Sequence, residues 1–284
     1  TNLFNTYFNL GELLKDGKKK EEAVKYFRKA IDLKKYDLDS LMNLSILLTQ
    51  LGNYEEAFNL FLKITFLYPK INISYGYLTI LFSSIDLSRF KDEFIKDLLR
   101  NLLKRNDIPY QNLFTVFNYV NRSFISRIKV NENQNEGIIE ELIHNEILTE
   151  GLQKIILRDS NWENILTRVR KNICIKICSK ALIIDNNKIK FISALASQCF
   201  LNDYIYNSSK EENECINKII ERGNTGNILE EEIAILACYY SLKKLNRKIQ
   251  LPSSSSINLN QLINLQILEP EKEIELSKAI RKLG

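Results

Sequence analysis

Shifted by 34 residues, the beginning of this chain falls upon itself. Leu10 aligns with Leu44, Leu14 with Leu48, Glu22 with Glu56, Ala23 with Ala57 and Phe27 with Phe61. A unit of that length is one supersecondary piece that cannot bury its hydrophobic face alone and must stack on the next copy. The residue types suit a pair of antiparallel helices. Ala23 and Ala57 are small enough for the two helices to approach closely, and Phe27 and Phe61 fill the space behind them. In the second copy the turn reads Gly52, Asn53, Tyr54, and Pro69 stops the second helix. The first copy places its turn glycine, Gly17, one position early and carries Lys35 where a proline is expected.

Residues 5 to 69 thus resemble the tetratricopeptide repeat family, with repeats at 4–37 and 38–71. A third copy, 72–105, begins with Tyr75, Leu78 and Phe82 at the expected offsets and then loses the pattern at Lys91 and Ile95. It reads as a degenerate repeat closing the stack, since a terminal repeat presents an outer face unlike the internal ones. The resemblance implies an all-α fold, a superhelical stack of hairpins whose first helices line a concave groove. It implies further that Phe8, Glu12, Lys15, Met42, Asn43, Ile46 and Thr49 lie on or near that groove, where a protein or peptide partner would bind. The family variant that clamps a C-terminal carboxylate has a lysine and an asparagine where this chain has Phe8 and Glu12. Only Asn43 of that clamp is present, so no preference for acidic tails is expected.

Beyond residue 108 the 34-residue period is gone, but helical spacing continues into a second helical-bundle unit over 108–250. Leu113, Phe114, Phe117, Val120, Phe124 and Ile128 form one apolar stripe, and residues 137–157 supply one or two short helices. Asp159 or Ser160 caps the next helix, with Ile165, Leu166, Val169, Ile173 and Ile177 on one face and basic residues, Arg168, Arg170, Lys171, Lys176 and Lys180, opposed to it. Ile189 to Tyr206 is apolar nearly all round and is expected to be the central buried helix. Further helices are expected at Glu211–Arg222 and Leu229–Leu245. Residues 251–284 comprise a linker around Pro252, a short helix from Asn258 to Leu268 and a charged helix after Pro270.

The run with Phe191, Ala194, Leu195, Ala196, Gln198, Cys199, Phe200, Asn202 and Tyr204 is similar to a segment of bacterial proteins that join tetratricopeptide repeats to an S-adenosylmethionine-dependent methyltransferase domain. Asp203 stands where that family has glutamate. Trp162–Arg170 upstream and Leu268–Leu276 downstream agree with it in order. In that family the helical region precedes the catalytic domain, which implies that any cofactor site lies beyond Gly284. Such a domain needs a strand, a Gly-rich turn and a following acidic residue. The nearest candidate here, Gly223-Asn-Thr-Gly226, sits between two helical patterns. A first residue Thr1 rather than Met, and a last residue just after a charged helix, fit a segment of something longer.

Composition narrows the chemistry. Only 9 glycines and 4 prolines occur in 284 residues, too few to supply the turns of an all-β chain. Forty basic residues are interleaved with 35 acidic ones, so no footprint for nucleic acid stands out. The basic face of residues 168–180 lacks interleaved aromatics for stacking bases, which argues against nucleic acid there as well. No apolar run is long enough to span a bilayer. Five cysteines, Cys174, Cys178, Cys199, Cys215 and Cys238, fall within apolar helical patterns and read as reduced thiols in a cytoplasmic protein. His144 is the only histidine, which removes histidine-based metal clusters; Cys174 and Cys178 read as small buried hydrophobes rather than ligands. Glu140, Glu141, Glu146 and Glu150 read as a solvated helix face. Gln198 and Asn202, one turn apart in an apolar helix, are expected to hydrogen-bond the ends of neighbouring helices or a buried loop, with a ligand-facing role as the alternative.

No catalytic residue, metal set or bound cofactor is therefore expected within these residues. Three functional classes are set side by side: the recognition region of a methyltransferase protein, a stand-alone scaffold that binds partners through its groove, and an enzyme complete within these residues, for which no nucleophile, metal set or phosphate loop stands out. Two repeats serving only as a packing or homodimer surface is the plainer alternative.

Overall fold

The computed structural model describes residues 2–130, 136–226, 228–245 and 256–272. Among these the regular structure is helical throughout, and the chain divides into two compact units, Thr1–Val120 and Asn121–Gly284.

In the first unit, α1 (Asn2–Lys15) and α2 (Lys20–Leu33) form a hairpin, followed by α3 (Leu38–Gln50) and α4 (Tyr54–Leu67). α2 packs on α3 and α4 on α5 (Asn72–Leu81), so each hairpin covers the apolar face of the next. Asp37 caps α3, accepting hydrogen bonds from the Ser40 amide at 3.0 Å and the Ser40 hydroxyl at 2.7 Å. Gly52, at φ +80°, makes the left-handed turn after α3, and the Asn53 amide reaches back to the Leu48 carbonyl at 2.9 Å. Ala23, Ala57, Phe27 and Phe61 are fully buried. Across the repeats, Arg28 on α2 holds Glu56 on α4 through two hydrogen bonds of 2.7 and 2.8 Å.

The third hairpin explains where the repeat pattern goes. After α5 the chain makes a short 3₁₀ turn at Leu87–Arg89 before α6 (Asp92–Leu103). α6 begins 38 residues after α4, not 34, so four extra residues lie between the paired helices. With that shift Ile95, Leu99 and Leu102 take the places of Ala57, Phe61 and Ile64, and all are buried. Phe90 in the inserted turn sets its ring edge against Phe58, which also meets Phe82 edge-on. A second 3₁₀ turn, Tyr110–Leu113, leads into α7 (Phe114–Val130), within which the division between the units falls.

The second unit is built from α8 (Glu136–Ile143), α9 (Glu146–Lys154), α10 (Ser160–Cys178), α11 (Asn186–Leu201), α12 (Lys210–Gly223), α13 (Glu230–Leu236), α14 (Leu242–Leu245) and α15 (Ile257–Ile263). α11 is its axis: α8, α9, α13 and α15 all pack on it, while α10 packs on α12 and α13. That arrangement accounts for the almost uniformly apolar surface of α11, since a helix contacted from several sides has no face left for water.

Two helix ends differ from the sequence expectation. α11 stops at Leu201 rather than Tyr206, because Asp203 and Tyr204 adopt left-handed backbone at φ +52° and +57° and turn the chain. The helix expected over Leu229–Leu245 is broken after Leu236 by turn residues, then resumes at α14. Asp159, not Ser160, caps α10, accepting the Asn161 amide at 2.8 Å. α15 continues into a π turn at Asn264–Leu268, where buried Gln266 accepts the Leu242 amide at 2.9 Å and donates to the Ala196 carbonyl at 3.4 Å. The charged helix expected after Pro270 is described only to Lys272, where the chain is still helical, and most of the linker near Pro252 lies outside the described residues.

Candidate protein-binding face and the buried polar sites

The seven residues expected to line a groove all lie on the first helices of their hairpins, Phe8, Glu12 and Lys15 on α1 and Met42, Asn43, Ile46 and Thr49 on α3, and every one is half-buried. Their environments differ in kind. Phe8 packs on Phe4 at 6.1 Å between ring centroids and edge-on against Phe27 at 5.8 Å. Lys15 and Glu12 form an ion pair at 2.8 Å, and the Lys15 ammonium also donates to Asn43 Oδ1 at 3.2 Å. These three side chains therefore form one polar cluster bridging α1 and α3. The Thr49 hydroxyl is turned back onto the Ser45 carbonyl at 2.9 Å, and Met42 and Ile46 beside it are half-buried apolar side chains. The Lys15 charge is already answered inside the face, as is the amide oxygen of Asn43.

The same first-helix position continues onto α5, where no groove residue is expected from the sequence. Ile73, Gly76, Tyr77 and Ile80, with Asn72 and Asp107, line an open pocket of about 350 Å³. The signal was present in the sequence: a shift of 34 carries Met42 to Gly76, Asn43 to Tyr77 and Ile46 to Ile80.

In the second unit Gln198 is fully buried and Asn202 nearly so. With its amide oriented to match its neighbours, Gln198 donates to the carbonyls of Leu152 at 3.0 Å and Ile155 at 2.8 Å. It accepts from the Leu157 amide at 3.1 Å and from Asn202 Nδ2 at 2.7 Å. Asn202 also reaches the Leu157 carbonyl at 3.3 Å and the Tyr206 hydroxyl at 2.9 Å. The pair thus satisfies the backbone where α9 ends and the segment to α10 begins.

Arg170 corrects the sequence reading most sharply. It does not lie with the half-buried Arg168, Lys171 and Lys176 of α10 but is 1% exposed. Its guanidinium lies 3.2 Å from the Glu212 carboxylate, donates to the Tyr206 and Asn207 carbonyls at 3.1 and 2.7 Å, and sits 4.3 Å from the centre of the Tyr239 ring. The same Glu212 accepts from the Tyr239 hydroxyl at 2.7 Å and from the Ser209 amide at 2.6 Å, forming the capping box of α12. Burial pushes the Glu212 carboxyl up, but the Ser209 amide, Tyr239 hydroxyl and Arg170 together hold it below its ordinary value. Burial pushes the neighbouring Cys174 thiol up to about 12. The arrangement rigidifies the core and contains no accessible nucleophile.

All five cysteines are free thiols; Cys178 is half-buried where the sequence reading expected a core position. His144 and the carboxylates Glu140, Glu141 and Glu146 are exposed. Among the described residues no cluster of His, Cys, Asp and Glu is arranged to hold a metal ion, and no helix is long and apolar enough to cross a membrane.

Stacked antiparallel helical hairpins with small residues at the crossing and buried phenylalanines behind them define a helical-repeat protein. Residues 4–37 and 38–64 each match a family model described as the tetratricopeptide repeat, and the first two hairpins are such repeats. No curated protein shows a significant match to the chain.

Proposed function

We propose that this chain is a non-catalytic recognition region that binds a protein partner on the face formed by its first helices, within a larger bacterial S-adenosylmethionine-dependent methyltransferase protein acting in the cytoplasm. The binding part of the reading is carried by one observation: the first helices α1, α3 and α5 carry partly uncovered apolar side chains, Phe8, Met42, Ile46, Ile73, Tyr77 and Ile80, with Phe8 and Met42, and Ile46 and Ile80, at matching repeat positions. Tetratricopeptide repeats offer such a face to a helix or extended segment of another protein. Support for the methyltransferase association is the similarity of the Phe191–Tyr206 run, which covers α11 from Phe191 onward and the turn after it.

The second unit fits a supporting role. Its polar residues of unusual placement, Gln198, Asn202, Arg170 and Glu212, are engaged with backbone and with one another rather than with open space. A stand-alone scaffold is the alternative, favoured by the same α1, α3 and α5 face without reference to α11. The binding part is tested by purifying the protein with its partners from native cells and repeating the purification with the double variant Met42→Glu, Ile46→Lys. Loss of a partner from a variant with unchanged circular dichroism supports the reading; an unchanged partner set contradicts it.

A further inference from the structure

The helix α5 carries a feature its two predecessors lack. At the position held by Phe8 on α1 and Met42 on α3 it has Gly76, and a side chain added there would meet nothing within 4 Å. Ile73 and Ile80 stand about one turn to either side and are 58% and 50% exposed. Tyr77 lies flat on Phe61, with ring centroids 4.8 Å apart and 6° between the planes, so its position is fixed from beneath. These residues make the apolar floor of the pocket described above, and Gly76 is the gap in it.

Charge selects among possible occupants. The Lys15 ammonium is held by Glu12 and Asn43. Arg105, next to the polar end of the pocket, is forked onto Asp107 at 2.8 and 2.6 Å, donates to Asn72 at 3.0 Å, and lies 3.6 Å from the centre of the Tyr75 ring. Asp39, which matches Ile73 on the preceding first helix, is exposed, and no cation among the described residues pairs with it. The Lys15 and Arg105 charges that an acidic segment would seek on this face are already answered by Glu12, Asn43 and Asp107, whereas a basic segment would meet the open Asp39 carboxylate.

Resting on the protein-binding reading above, we propose that the α5 pocket receives a bulky apolar side chain of a partner segment, seated over Gly76 between Ile73, Tyr77 and Ile80, and that lysine or arginine flanks this anchor. The anchor would gain by leaving water, and an apolar side chain seated in a pocket is the usual energetic centre of such an interface. The specificity is for an apolar, basic segment and against an acidic one.

The test is a selection of short random peptides displayed on phage against the 284-residue chain. Affinities of the selected peptides are then read by fluorescence anisotropy on the wild type, Gly76→Leu and Ile46→Lys. Because the space over Gly76 is open, Gly76→Leu is expected to fold, which circular dichroism checks. The proposal expects peptides rich in Leu, Ile, Phe or Met with Lys or Arg, and a loss of affinity of about tenfold or more in Gly76→Leu. Acidic peptides, no selected peptides, or affinities unchanged in Gly76→Leu would overturn it. If Ile46→Lys still abolished binding when Gly76→Leu did not, the wider protein-binding reading would stand without the pocket; insensitivity to both would remove both.

Discussion

The Arg170 guanidinium and the Glu212 carboxylate meet 3.2 Å apart inside the second unit, each side chain 1% exposed. Two charges removed from water are tolerated only when the remaining hydrogen-bonding capacity is also met. Here Tyr206, Asn207, Ser209 and Tyr239 meet it. Arg170→Met should therefore leave an uncompensated buried carboxylate and lower stability by about 3–5 kcal/mol. The double variant Arg170→Met, Glu212→Leu should lose clearly less than the sum of the two single losses. Urea denaturation followed by circular dichroism measures both, and additivity would show that the pair is not coupled.

Acid should weaken this unit through the same carboxylate. The folded Glu212 sits below its ordinary value of 4.5, so its contribution is fully present above that value and is lost as pH falls through the lower folded one. Denaturation midpoints measured from pH 7 down to about pH 3 should fall below about pH 4.5 in the wild type. Glu212→Gln, which has no carboxyl to protonate, should start less stable and show a flatter decline.

Two helical glycines should respond in opposite directions. A Cβ on Gly11 would lie 2.8 Å from the Phe27 ring, whereas one on Gly76 meets nothing. Gly11→Ala is expected to cost about 1–3 kcal/mol through overpacking. Gly76→Ala is expected to add about 0.5–1 kcal/mol by reducing backbone freedom in the unfolded chain. Thermal unfolding of the two variants reads the signs directly.

Gln198 should matter more than its polarity suggests. Gln198→Leu removes four buried hydrogen bonds and leaves the Leu157 amide without its acceptor. Each buried group so orphaned costs about 1–3 kcal/mol. Amide hydrogen exchange should show Leu157 losing protection, and exchange unchanged there would mean that the bond does not hold this segment.

Much of the architecture can be read from residue types. The repeat in the first two hairpins is visible because Ala23 and Ala57, Phe27 and Phe61 must each solve the same packing problem at the same spacing. The third hairpin hides it, because four inserted residues move Ile95, Leu99 and Leu102 out of a fixed-period register while leaving their core positions intact. The end of α11 is hidden for another reason: Asp203 and Tyr204 turn left-handed without a glycine to announce it, held by the surrounding packing. Arg170 shows the limit of charge patterning. One of the two arginines on α10 is buried, and the carboxylate that draws it inward lies 42 residues along the chain. On the candidate face, α1 and α3 follow from the family resemblance, whereas the α5 pocket depends on a missing side chain at Gly76, which the 34-residue shift locates but no hydrophobic pattern marks.

The central claim, a recognition region belonging to a methyltransferase protein and carrying no cofactor site itself, is met most directly by isothermal titration with S-adenosylmethionine. The titration is made on this 284-residue chain and on the longer protein proposed to contain it. The account predicts heat of binding from the full protein and none from the chain. Binding by the chain alone, or by neither protein, would contradict it.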